Sequence, residues 1–256
     1  MFDPIPKTAL ITGASRRIGR AVALTLARQG YAIAIHFHHS RAEAQSLALE
    51  IEKLGVKAAL LQADLASESA TQTLFPAART ALGPIGVLIN NASSFERDEW
   101  NDVTRQSWDQ HFQPNLRAPF ILSQAFAASL PETARGLIVN LIDQRVWSLT
   151  PHFMTYTLSK AALWTLTQTM ALALAPRIRV NAIGPGPALP SPRQTPEQFA
   201  KQAASVPLRH PTSPEEVADA VLAFLALPSV TGQMLALDGG QHLQYSPTRS
   251  LLPPEE

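Results

Sequence analysis

Read for apolar and polar positions alone, the chain alternates short apolar runs with longer amphipathic stretches. Thr8–Thr12 (TALIT), bounded by Lys7 and Gly13, has the length and flanks of a buried strand. Ile18 to Arg28 predicts a helix with Ile18, Val22, Leu24 and Leu26 facing inward, ended by Gly30, and Tyr31–Phe37 (YAIAIHF) is the next strand. The pattern repeats: helix Arg41–Leu54 then strand Ala58–Leu61, helix Glu68–Leu82 then strand Gly86–Ile89. A long helix over Gln106–Leu130 precedes strand Leu137–Ile142, and a helix over Phe153–Ala175 precedes strand Arg179–Ile183. Helix Pro214–Leu227 and strand Gln233–Leu237 complete the series. Seven strands alternating with helices predict a single α/β domain over residues 1–245, with a seven-stranded parallel, doubly wound sheet and helices on both faces.

Two segments depart from the rhythm. Pro185 to Pro214 is proline-rich and carries only a short helical pattern at Pro196–Ala204. A loop of that length beside a site is expected to be a substrate lid. The tail from Ser246 to Glu256 is expected to be poorly ordered.

Composition narrows the function classes. A formal net charge of +1 gives no reason to expect a nucleic-acid or membrane partner. With no cysteine, disulfides and thiolate catalysis are excluded. No apolar run reaches the ~20 residues of a membrane span and no export signal opens the chain, so a cytoplasmic enzyme is the expectation.

The candidate chemistry gathers late in the chain. Tyr156 and Lys160 stand four residues apart at the front of a helical pattern, so phenol and ammonium share one helix face. An ammonium beside a phenol favours the phenolate, which draws the phenol pKa toward the working range of a proton donor. Asp143 follows the strand ending at Ile142, at the carboxyl end where ligands bind in open α/β sheets. Earlier, Gly13 and Gly19 frame a strand–turn–helix junction, Thr12-Gly13-Ala14-Ser15-Arg16-Arg17-Ile18-Gly19, whose backbone N–H groups can approach a pyrophosphate. The middle position, Arg17, is not glycine, so an arginine enters the phosphate region; the plainer reading is a tight turn with two solvated arginines.

The second strand ends in His36, Phe37, His38, His39, Ser40 and Arg41, with no acid to bind ribose hydroxyls. Those donors, with Arg16 and Arg17, suit the 2′-phosphate of NADPH. A histidine metal patch is the alternative, without companion ligands in the sequence, so no metal is expected. Asp64, followed by Leu65, can cap the next helix or accept from an adenine amino group. In Asn90-Asn91-Ala92-Ser93-Ser94-Phe95, small and amide residues allow close approach of a ligand. Phe95 reads equally as a stacking platform or as core.

Together these residues resemble the short-chain dehydrogenase/reductase family over nearly the whole chain: Thr12-Gly13 through Gly19, Asp64, Asn90-Asn91-Ala92, Asn115, Tyr156-x-x-x-Lys160 and Pro185-Gly186. The resemblance implies a Rossmann fold, NADPH as cofactor and a homo-oligomer, commonly a tetramer, through the two long helices. It also implies that Asn115 distorts its helix and supports the lysine, although alone it reads as a surface polar residue. Three departures resemble the pteridine reductase branch: Arg17 for glycine, Ser93 for the glycine after Asn-Asn-Ala, and Asp143 for the catalytic serine thirteen positions before Tyr156. That resemblance implies a small planar pterin- or folate-type substrate, with Phe95 stacking the ring, Arg17 reaching both substrate and phosphates, and Ser93, Asp143 and Tyr156 touching the substrate. Asp143 is expected to help donate a proton when partly buried and protonated. Arg145, Trp147 and Pro187–Pro190 depart from the eukaryotic pteridine reductases. A generic NADPH-dependent carbonyl or quinone reductase is the alternative, and a non-catalytic NADPH sensor a third.

Overall fold

The computed structural model describes residues 2–191 and 193–244; the expectation for 246–256 lies outside the described residues. The strands are β1 (Thr8–Ile11), β2 (Ala32–Phe37), β3 (Ala58–Gln62), β4 (Val87–Asn90), β5 (Gly136–Leu141), β6 (Ile178–Pro185) and β7 (Met234–Leu237). The helices are α1 (Arg17–Arg28), α2 (Arg41–Lys53), α3 (Glu68–Leu82), α4 (Arg105–Phe112), α5 (Ala118–Ser129), α6 (Met154–Ala173), α7 (Pro196–Ser205) and α8 (Pro214–Ala226). All seven strands pair in parallel in the order β3-β2-β1-β4-β5-β6-β7.

Alternation along each strand sorts the core into two layers, because successive side chains point to opposite faces. Ala9 and Ile11, Ile33 and Ile35, Val87 and Ile89, Leu137 and Val139 pack under α1, α2 and α8, against Val22, Leu47, Val221 and Phe224. Leu10, Ala34, Leu88 and Ile138 pack on the other face, against Phe75, Leu122, Phe126 and Met170. In α1 the buried face is Gly19, Val22, Ala23, Leu26 and Ala27, and Ile18 and Leu24, expected to face inward, are half-buried at its margins and pack against the same core. The chain leaves β1 toward β2 and β3, then crosses back to β4. That reversal opens a crevice at the carboxyl ends of the strands.

The expected single helix over Gln106–Leu130 is corrected to α4, a π turn at Gln113–Arg117, and α5. Pro119 has no N–H to offer the Asn115 carbonyl, and the Ala118 N–H donates to the Gln113 carbonyl instead, five residues back. Within 185–214, Thr195 and Gln198 form a reciprocal cap that starts α7. Among the described residues, no helix is long and apolar enough to cross a membrane.

Candidate functional site

A cleft of about 690 Å3 lies at the topological reversal, within the range of small-molecule sites. Its walls come from the loops after β1 (Gly13, Ser15, Arg16, Arg17, Ile18, Gly19), β2 (His36 to Ser40), β3 (Asp64, Leu65) and β4 (Asn91 to Ser94). Most of the residues expected around a dinucleotide therefore meet in one place.

The first wall is held by contacts that leave no slack. Asn91 Nδ2 donates to the carbonyls of Thr12 (2.8 Å) and Gly13 (3.1 Å), and Thr12 Oγ1 accepts from the Asn91 and Ala92 N–H groups. A Cβ on Gly19 would lie 2.3 Å from the Gly13 carbonyl oxygen, so only glycine fits. Gly13 has φ +62° and Arg17 φ +52°; both occupy the left-handed region that favours glycine. Arg17 Nη1 donates to the Pro190 carbonyl at 3.0 Å, tying the turn to the proline-rich segment.

His36 corrects its expected role as a phosphate donor. It is 2% exposed; its Nδ1 accepts from the Gly13 N–H at 3.0 Å, and Nε2 lies 3.2 Å from the Ala63 carbonyl. Nε2 therefore carries the ring's single proton, and burial pushes the pKa down to about 4. The ring braces the glycine turn. His38 and His39 lie against each other, ring centroids 3.5 Å apart and planes tilted by 30°, and among the described residues no three His, Cys, Asp or Glu side chains are grouped to hold a metal ion. Asp64 does not cap α3: its Oδ1 accepts from the Ala66 N–H, and Ser67 caps the helix. Pro185 ends β6 and Gly186 follows it, where a Cβ on Gly186 would meet Asp238 at 2.8 Å.

Beyond Ser94 the site is made of side chains. Tyr156 Oη donates to Asp143 Oδ2 at 2.9 Å, and Asp143 Oδ1 accepts from the Arg145 N–H at 2.7 Å. In this arrangement Asp143 accepts both bonds. Lys160 is 2% exposed, donates to the Leu141 carbonyl at 2.9 Å, and has its pKa lowered to about 8 by burial, opposed by Asp143. Asn115 is fully buried rather than a surface residue. Its Oδ1 accepts from the Ser94 N–H and Ser93 Oγ, and its Nδ2 donates to the Ser94 carbonyl and Ser159 Oγ. The π turn thus places Asn115 between the β4 loop and α6.

Phe95 stacks on Phe153 (centroids 4.7 Å, 8°) and meets Tyr156 edge-on at 4.7 Å. Arg145 lies over Phe153, and Arg193 over Phe95 while pairing with Glu96. Sequence reasoning missed Phe153 and Arg193. Nothing in local spacing brings a residue before α6 and one in the proline-rich segment to the same ring.

The model of the short chain dehydrogenase family matches residues 7–200. The chain belongs to the short-chain dehydrogenase family. This short-chain dehydrogenase is an oxidoreductase, and its fold is the one the sequence predicts. The crystal structure of FolM alternative dihydrofolate reductase 1 from Brucella suis in complex with NADP is 47% identical with a TM-score of 0.91, covering 93% of this chain and 96% of that one. Its counterpart from Brucella canis, complexed with NADP, is 46% identical with a TM-score of 0.89, covering 94% and 96%. The 3-oxoacyl-acyl-carrier-protein reductase FabG of Staphylococcus epidermidis is 31% identical over 243 residues, covering 93% of this chain and 99% of the relative.

Proposed function

We propose that this oxidoreductase is an NADPH-dependent reductase of pterin-type rings, dihydropterin, dihydromonapterin or dihydrofolate. The observation that carries the reading is a carboxylate, Asp143, accepting from the Tyr156 phenol beside the Phe95 ring. A carbonyl substrate offers only acceptors, for which a carboxylate is a poor partner. A pterin also presents N–H donors, which Asp143 can accept. The likeness to the two Brucella structures supports the same reading.

The cleft fits the cofactor by its chemistry. The glycine turn exposes backbone at a helix start, and Arg16, His38, His39 and Ser40 supply donors for a 2′-phosphate where no acid stands to bind a free hydroxyl. Asp64 would accept from the adenine amino group. Asn91, Ala92, Ser93, Pro185 and Gly186 would lie along the rest of the dinucleotide, and Lys160 would hold the nicotinamide ribose. When bound, NADPH supplies the hydride to a C=N bond. Tyr156 delivers the proton from Oη, Lys160 favours the phenolate left behind, and Asp143 and Ser93 orient the ring's N–H groups. Arg17 reaches between phosphates and ring, and the segment 185–214, already bonded to Arg17 and Phe95, closes over the substrate.

The test is NADPH consumption with dihydrobiopterin, dihydromonapterin, dihydrofolate and simple ketones, with NADH as control. Turnover confined to the pterin and folate group is expected. Turnover on ketones alone would move the assignment to a generic carbonyl reductase.

We also infer a homo-oligomer, as a tetramer. An apolar groove of about 610 Å3 lined by Trp108, Phe112, Leu116, Phe120 and Leu166 runs between the α4–α5 segment and α6. A monomeric mass by light scattering would contradict it.

A further inference from the structure

We propose that Asp98, Thr155 and His111 form a positioning relay outside the cleft that sets the plane of Phe95 against Phe153 and Tyr156, and with it the seat of the substrate ring. The inference rests on the pterin reading for the identity of that ring.

All three side chains are buried: Asp98 at 4% exposure, Thr155 and His111 at none. They come from the loop after β4, from α6 one residue before Tyr156, and from α4 just ahead of the π turn. The start of α6 has no cap of its own, because Phe153 lies at φ +57° and makes no side-chain bond to the helix. Asp98 supplies the cap from the other loop. Its carbonyl accepts from the Met154 N–H (3.3 Å), Oδ1 from the Thr155 N–H (3.1 Å), and Oδ2 from the Thr155 hydroxyl. The Asp98 carboxylate thus takes one orphan N–H group and its backbone carbonyl a second, while its charge faces the positive end of the dipole.

The direction of the relay follows from the remaining bonds. His111 Nε2 accepts from the Glu96 N–H at 3.0 Å, so it carries no proton. His111 Nδ1–H must then donate to Thr155 Oγ1, 2.7 Å away, and the Thr155 hydroxyl proton is left for Asp98. Burial lowers the His111 pKa, opposed by the neighbouring Asp98. The backbone is thereby pinned at Glu96 by α4 and at Asp98 by α6, immediately after Phe95. Phe95 in turn touches two residues of the α6 start, Phe153 and Tyr156. His111 also meets the Tyr156 ring edge-on, with centroids 6.0 Å apart, and the three residues act as positioning groups through the rings and the helix they hold.

Thr155→Val keeps the shape and removes the hydroxyl, stranding Asp98 Oδ2 and His111 Nδ1. Thr155→Ser restores the hydroxyl. Asp98→Asn keeps the size but turns one acceptor into a donor facing a hydroxyl that needs an acceptor. Kinetics normalised to folded enzyme, NADPH affinity by fluorescence titration and thermal melts are compared with wild type. Thr155→Val and Asp98→Asn are expected to raise KM for dihydrobiopterin about tenfold, since small misplacements of bound rings are costly. NADPH affinity should stay within about twofold, and Thr155→Ser should restore KM. A merely structural role would lower the melting temperature or folded fraction and leave KM alone, and that result overturns the proposal. If Thr155→Val fails to fold, an unchanged KM in Asp98→Asn overturns it equally. Wild-type turnover on dihydrobiopterin judges the pterin reading by itself. The ratio of variant to wild type, on whichever substrate wild type accepts, judges the relay.

Discussion

At the dinucleotide end of the cleft the recognition surface is mostly backbone, whereas at the Phe95 end it is side chain. Gly13, Gly19, Thr12 and Asn91 come from two neighbouring segments, the glycines fixed by close approach of backbone and Thr12 and Asn91 by hydrogen bonds to main-chain groups. Phe95, Asp143, Phe153, Tyr156 and Arg193 come from four segments, and each is held by something behind it: Arg145, Asp98, Asn115. Backbone recognition is stiff and generic, as suits a cofactor shared by many enzymes. Side-chain recognition can be rewritten one residue at a time, as suits a substrate pocket.

If the two ends are separate devices, perturbing one should leave the other's observable alone. The largest effect is expected from Tyr156→Phe, which should lower turnover by about two orders of magnitude or more while NADPH affinity by fluorescence is unchanged. A matching loss of affinity would break the comparison. Next is the brace at the cofactor end. His36 has a folded pKa of about 4 against 6.5 when free, so the unfolded chain binds a proton the folded one refuses. Its stabilisation is complete above pH 6.5 and should fall by about 3 kcal/mol as pH drops toward 4, levelling off below. Denaturant melts across that window should show a flatter slope in His36→Asn; parallel slopes would remove the histidine from the account. Gly19→Ala should cost about 1–3 kcal/mol in melts and weaken NADPH binding, with turnover at saturating NADPH retained. The smallest effect is expected from Arg16→Ala, about tenfold in NADPH affinity and little in NADH affinity, the size of one charge-assisted bond. Equal losses on both cofactors would place Arg16 away from the 2′-phosphate.

The same division explains what the sequence made legible. The seven strands could be read because alternation on a sheet buried on both faces leaves few other assignments, and the glycine turn because its spacing is local. The break in the long helix had a visible signal, Pro119 four residues after Asn115, but periodicity averaged over it. His36 could not be told from His38 by sequence, since β2 is apolar on both faces and carries no mark of which way a ring turns. The Asp98–Thr155–His111 relay left no trace at all. Its members sit 13 and 44 residues apart, on elements whose own patterns they do not disturb.

The π turn makes this enzyme sensitive to counting as well as to chemistry. Each residue advances a helix by about 100°. Losing any one residue from Gln113–Arg117, even one facing solvent, would remove the wider turn in which the chain accommodates Pro119. It would also swing His111 a quarter-turn or more off Thr155, or Asn115 off the Ser93–Ser94 loop. Substitutions along that stretch can be tolerated by neighbours that adjust; a deletion changes the phase between α4 and α5, which no neighbour can correct. In this helix the number of residues is itself part of the site.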